Sequence, residues 1–76
     1  MMDWDDLKIF LALQRSASLR AAAEALHLSH STVSRRLQAL ETAICTRLFL
    51  RRAEGLALTE TGAELVAHAE RVESDV

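Results

Sequence analysis

Ser18-Leu19-Arg20-Ala21-Ala22-Ala23-Glu24-Ala25-Leu26-His27-Leu28-Ser29-His30-Ser31-Thr32-Val33-Ser34-Arg35-Arg36-Leu37 is the stretch that decides the fold. Leu19, Ala22, Ala23 and Leu26 recur at i, i+3, i+4 and i+7, which is one face of a helix, and Ser18 stands where an N-cap belongs. The Ala21-Ala22-Ala23 run has no bulky side chains, so a second helix can approach it closely. His27 and Leu28 then break the pattern before Ser29, another N-cap, and Val33, Leu37, Leu40 and Ile44 resume it. At about 100° per residue these four apolar residues fall within an arc of roughly 60°. Ser31, Arg35, Gln38 and Thr42 point the opposite way. Two helices, one buried on a small-residue face and one both apolar and basic, joined by about three residues, have the spacing of a helix-turn-helix unit.

Upstream, Trp4, Leu7, Phe10 and Leu11 predict a first helix from about Trp4 to Arg15. Asp3 is its N-cap, and Asp5 and Asp6 lie in the first turn, where the macrodipole favours acids by a few tenths of a kcal/mol each. Downstream, Leu48-Phe49-Leu50-Arg51-Arg52, Ala53-Glu54-Gly55 and Leu56-Ala57-Leu58 predict two short strands about a turn at Gly55. Thr59 then caps a fourth helix whose Leu65, Ala69, Val72 and Val76 form a two-heptad seam suited to a partner helix. That helix ends with Glu73 and Asp75 where the macrodipole disfavours acids and with no Gly cap, so it is expected to run on beyond these residues.

The whole chain has 76 residues, 50% apolar and 26% charged, with two Gly and no Pro, which bounds it to one helix-rich domain with a thin core. A domain this small leaves little room for an enclosed active site. Its longest wholly apolar run, Ile9 to Leu13, is far short of the roughly 20 residues that span a bilayer. With no secretory leader pattern and a single Cys45, a reducing, cytoplasmic setting is expected.

Nine Lys and Arg against eleven Asp and Glu give a net charge of −2, the wrong sign for a simple nucleic-acid binder. The mean hides a gradient. Residues 29–58 carry Arg35, Arg36, Arg47, Arg51 and Arg52 against Glu41 and Glu54, whereas residues 59–76 set Arg71 against five acids. The positive charge therefore sits on the third helix and the strands after it.

Together these residues resemble the N-terminal domain of LysR-type transcriptional regulators. The resemblance is carried by Leu7 and Phe10, Ser18 to Ala23, Leu26 to Ser29, Ser31 to Leu37, Leu40-Glu41, Leu48 to Arg51, Gly55, Leu58-Thr59 and Gly62, and it runs from about Asp3 to Leu65. It implies a mainly α winged helix-turn-helix: a three-helix core, a β-hairpin wing and a long C-terminal linker helix. It further implies a DNA-binding domain over 1–58, a linker and dimerisation helix beginning at 59–76, and an effector-binding domain outside these residues. Function follows the same resemblance: a homodimer on an interrupted palindrome of double-stranded DNA, the third helix in the major groove, with no cofactor and no enzymatic activity. Three positions depart from the family pattern. His30 replaces a frequent Gln and cannot make the bidentate amide pair with adenine; Cys45 replaces a helix-ending Gly; Glu60 replaces a Pro.

On this reading Arg35 can reach guanine O6 and N7 or a phosphate. His30, Ser31, Thr32 and Ser34 share the exposed end of the same helix and are candidates for bases, methyl groups or phosphates. Arg36, nearer the buried face, is suited to a phosphate or a neighbouring acid, and Arg51 and Arg52 on the wing to the backbone or minor groove. Ser18 is a cap and also marks a helix N-terminus able to hold a phosphate. Leu65, Ala69, Val72 and Val76 are the candidate dimer seam. Trp4 and Phe10 read as core and dimer packing, and Cys45 as a small packed hydrophobe. His27, His30, Cys45 and His68 offer ligand types for zinc but no CxxC or HExxH frame, and nothing sets a base beside a nucleophile. The rival reading is a helical protein-interaction module that uses the fourth-helix seam without touching DNA.

Overall fold

The computed structural model describes residues 3–75. Its elements run α1 (Trp4–Ser16), α2 (Leu19–Leu26), α3 (His30–Ala43), β1 (Phe49–Arg52), β2 (Gly55–Leu58) and α4 (Glu60–Ser74). Each helix begins on a short polar cap. Asp3 and Asp6 form a reciprocal capping box on α1. Ser18 accepts from the Ala21 N–H, Ser29 from Thr32 and Thr59 from Gly62, so each helix keeps an otherwise orphaned donor satisfied.

Three helices end on a left-handed residue, and none of the three is Gly. Ala17, His27 and Cys45 have φ of 55°, 58° and 58°. After α3, the Cys45 N–H donates to Thr42 O and the Thr46 N–H to Glu41 O, the paired bonds of a Schellman end. Cys45 thus keeps the backbone that a Gly would hold, with strain on the order of 1 kcal/mol. Its side chain is exposed, which corrects the expectation of a packed hydrophobe.

Phe10, Leu13, Ala22, Val33, Leu48 and Ala69 are fully buried, and the rest of the core surrounds them from α1, α2, α3 and β1. The Phe10 and Phe49 rings meet at 5.5 Å. Buried Ala22 and Ala23 let α2 lie close to its neighbours. In the hairpin, Phe49 pairs with Leu58 and Arg52 with Gly55, leaving Ala53 and Glu54 as the two-residue loop. Gly55, expected at the turn, is the first residue of β2, and its φ of +131° is one that other residues rarely adopt.

The hairpin is fastened to the helices at three points. The Leu56 N–H donates to Ala17 O in the α1–α2 turn at 2.9 Å. The Glu41 carboxylate of α3 accepts from the Leu48 and Phe49 N–H groups at 2.6 and 3.2 Å. Thr59 donates its hydroxyl to Arg47 O and its N–H to Leu48 O. Gly62 completes that joint, since a Cβ there would collide with the Leu48 carbonyl and the Leu58 side chain.

The α4 seam is placed differently from the sequence expectation. Ala69 is fully buried in the protomer, and Leu65 and Val72 are half-buried against the same core. The apolar stripe of α4 faces inward because α1 supplies the partner helix. Ala69 is therefore corrected from a dimer residue to a core residue. Val76 lies outside the described residues. Arg15 at the end of α1 grips the far end of α4: its Nη1 and Nη2 donate to the two Glu73 oxygens at 2.9 and 2.7 Å, with Glu70 at 3.9 Å.

Candidate nucleic-acid interface

Helix α3 is 14 residues long, about 21 Å, and its burial follows the apolar arc read from the sequence. Val33, Leu37 and Leu40 are buried, while Ser31, Arg35, Gln38 and Thr42 are all exposed. Because the core fixes the back of the helix, the polar row is held outward on a rigid element. His30 opens the helix, exposed. Thr32 is half-buried beside the cap, its Oγ1 2.7 Å from the Ser29 hydroxyl that donates to it. Arg36 is half-buried, as its position at the edge of the apolar face requires.

Beside this row stands the hairpin. Arg51 reaches across from β1 and donates through Nη2 to Ser34 Oγ at 3.2 Å, so a hairpin guanidinium and an α3 hydroxyl are brought together. Arg52 follows it, exposed at the end of β1. An open groove of about 710 Å³ runs between α3 and the hairpin, with Ser34, Gln38, Glu41, Arg47 and Arg51 in its walls. Arg47 leans toward Glu41 at 4.0 Å. Among the described residues no carboxylate lies within 4.0 Å of the Arg35, Arg36, Arg51 or Arg52 guanidinium. Exposed Arg35, Arg51 and Arg52, and half-buried Arg36 at the edge of the apolar face, are consequently permanently charged forks free of acid partners, each able to donate to an anion or a base edge. The overall acidity comes instead from α4 and the first turn of α1.

Ser18 follows Ala17, whose carbonyl accepts from Leu56 of the hairpin. It lies at the start of α2, part-buried, with its Oγ engaged by the Ala21 N–H. Two further residues shape the site and went without a role in the sequence reading. Glu41 orients the hairpin through two backbone bonds, a partnership across seven residues that periodicity does not reveal. Gln38 lies on the exposed row, where the helical period alone puts it.

No group of three or more potential metal-ligating side chains occurs among the described residues. No helix among them is long and apolar enough to cross a membrane.

A helix-turn-helix with a hairpin beside its second helix matches one family model over residues 4–63, that of bacterial regulatory helix-turn-helix proteins, lysR family. The chain belongs to this family. Among LysR-family relatives, it is 44% identical over 71 residues to the HTH-type transcriptional regulator YofA of Bacillus velezensis, covering 93% of this chain and 25% of that protein. The chain thus spans about a quarter of the length of such relatives. Its fold superimposes on the CbnR DNA-binding domain in a DNA complex with a TM-score of 0.90 at 33% identity, covering 96% of this chain and 84% of that one. The BenM DNA-binding domain, solved with the catB site 1 DNA, gives 0.92 at 26% identity, covering 97% and 83%. The mainly helical, winged architecture is shared with both.

Proposed function

We propose that this LysR-family domain binds double-stranded DNA sequence-specifically as part of a transcription regulator, laying α3 in the major groove and the hairpin against the adjacent backbone or minor groove. The observation that carries this reading is the exposed row of α3 with Ser31 and Arg35, beside which Arg51 of the hairpin hydrogen-bonds Ser34, on a fold shared with domains solved bound to DNA. The buried back of α3 makes its outward face a rigid reading edge, and a protruding helix fits a major groove about 12 Å wide. Arg35, near the start of the helix, takes guanine O6 and N7. His30, Ser31, Thr32 and Ser34 supply neighbouring base or phosphate contacts. Arg36, Arg51 and Arg52 hold phosphates, and Ser18 is foremost a cap, its helix N-terminus able to meet the backbone.

The active species is a homodimer on an interrupted palindrome, in the cytoplasm, with any small-molecule effector acting through parts of the protein beyond this domain. Since Ala69 is buried and Leu65 and Val72 are half-covered by the protomer, α4 meets its partner through the edges of that seam and its outward side. The role is recognition, without catalysis or cofactor. An anisotropy titration at moderate salt tests the reading. Binding to a site selected from random duplexes is expected to be at least a hundredfold tighter than to a scrambled duplex of equal length. Equal affinities would overturn it.

A further inference from the structure

The outward row of α3 runs past Arg35 to a residue with no assigned part in recognition. Ser31, Arg35 and Gln38 are spaced four and three apart and are all exposed. This is the spacing by which DNA-reading helices present successive base-contacting side chains. Gln38 stands about 4.5 Å along the axis from Arg35, a little more than one base-pair step. With Thr42 it forms the crest of the helix: both line the groove toward the hairpin and the shallow depression on the other flank, where Arg35, Ala39 and Ala43 are their neighbours. A residue that borders both flanks lies on the ridge that enters a groove deepest. Thr42 shares the row, but at about 10 Å from Arg35 it is some three base pairs away and has no paired donor and acceptor.

We propose that Gln38 is a second specificity-determining residue of the recognition helix, its amide pairing with adenine N6 and N7 one or two base pairs from the position read by Arg35. This rests on the DNA-binding reading above. The chemistry answers what His30 lacks, because an amide offers one acceptor and one donor in the geometry that adenine presents in the major groove, and an imidazole does not. Small Ala39 and Ala43 beside it leave the amide free to approach a base edge.

The test compares the parent with Gln38→Ala and Gln38→Glu on the parent's selected site and on the duplexes carrying each alternative base at every half-site position. Gln38 is exposed and mid-helix, so both variants are expected to melt with the parent. The parent is expected to prefer adenine by about tenfold at one position next to the Arg35 base; Gln38→Ala abolishes that preference and leaves the others intact. Gln38→Glu moves the preference there toward cytosine, whose N4 amino group donates to a carboxylate. Unchanged preferences in both variants, with the parent still selective, would overturn this proposal alone. A parent that prefers no sequence would overturn it together with the DNA-binding reading.

Discussion

Arg35 is exposed, near the start of a helix whose opposite side is buried, and unpaired with any acid among the described residues. Replacing it removes a DNA contact without opening the core. Arg35→Ala is expected to weaken binding to the selected site by about fivefold or more in anisotropy titration, with an unchanged melting profile. Cys45 is the opposite case, a residue whose backbone matters more than its side chain. At φ 58° it lacks the glycine that this helix end favours, so Cys45→Gly is expected to raise stability by about 1 kcal/mol in urea denaturation, with DNA affinity unchanged. Glu73 is held below the ordinary carboxylate value of 4.5 chiefly by its hydrogen bonds to Arg15, and further by that residue's charge. A lowered folded pKa contributes stability above the unfolded value that is lost as pH falls through the folded one. The advantage of the parent over Glu73→Gln is therefore expected near neutrality, to shrink below about pH 4.5 and to weaken in high salt, as followed by thermal melts at several pH values.

At the level of elements, the helices were legible because each rule that marks them is local. Caps at Asp3, Ser18, Ser29 and Thr59 and the apolar arcs of α2 and α3 lie within a few residues of what they control, and these helices begin where the caps put them. The hairpin strands were legible in outline, but their fastening was not. The Glu41 carboxylate on the Leu48 and Phe49 amides, the Ala17 carbonyl on Leu56 and the contact of Gly62 with Leu48 all join segments that no short period relates. Ala69 of the α4 seam is buried for a related reason. A heptad stripe states that a helix face will be covered, and α1 of the same chain covers it here. Glu41→Ala would leave two part-buried N–H groups without their acceptor. It is expected to cost about 1–3 kcal/mol and to speed amide exchange at Leu48 and Phe49 more than in α1. Equal exchange at both places would show that the wing is held by other contacts.

Across the whole molecule, charge is sorted by element. Eleven acids over the whole chain outweigh nine Lys and Arg, yet α3 and the hairpin carry four arginines against Glu41 and Glu54. Net charge misdescribed this chain because recognition depends on the local field. Sequence periodicity marks the outward row of α3; the hydrogen bond of Arg51 to Ser34 and the position of Gln38 and Thr42 between two depressions need the third dimension. The bidentate grip of Arg15 on Glu73 joins the end of α1 to the far end of α4. The most direct measurement is selection of duplexes from a random library by this chain at low and at moderate salt, since non-specific phosphate binding fades steeply as salt rises. An enriched pair of half-sites related by a two-fold axis is expected to survive moderate salt. Enrichment that vanishes with salt, leaving no shared sequence, would contradict it.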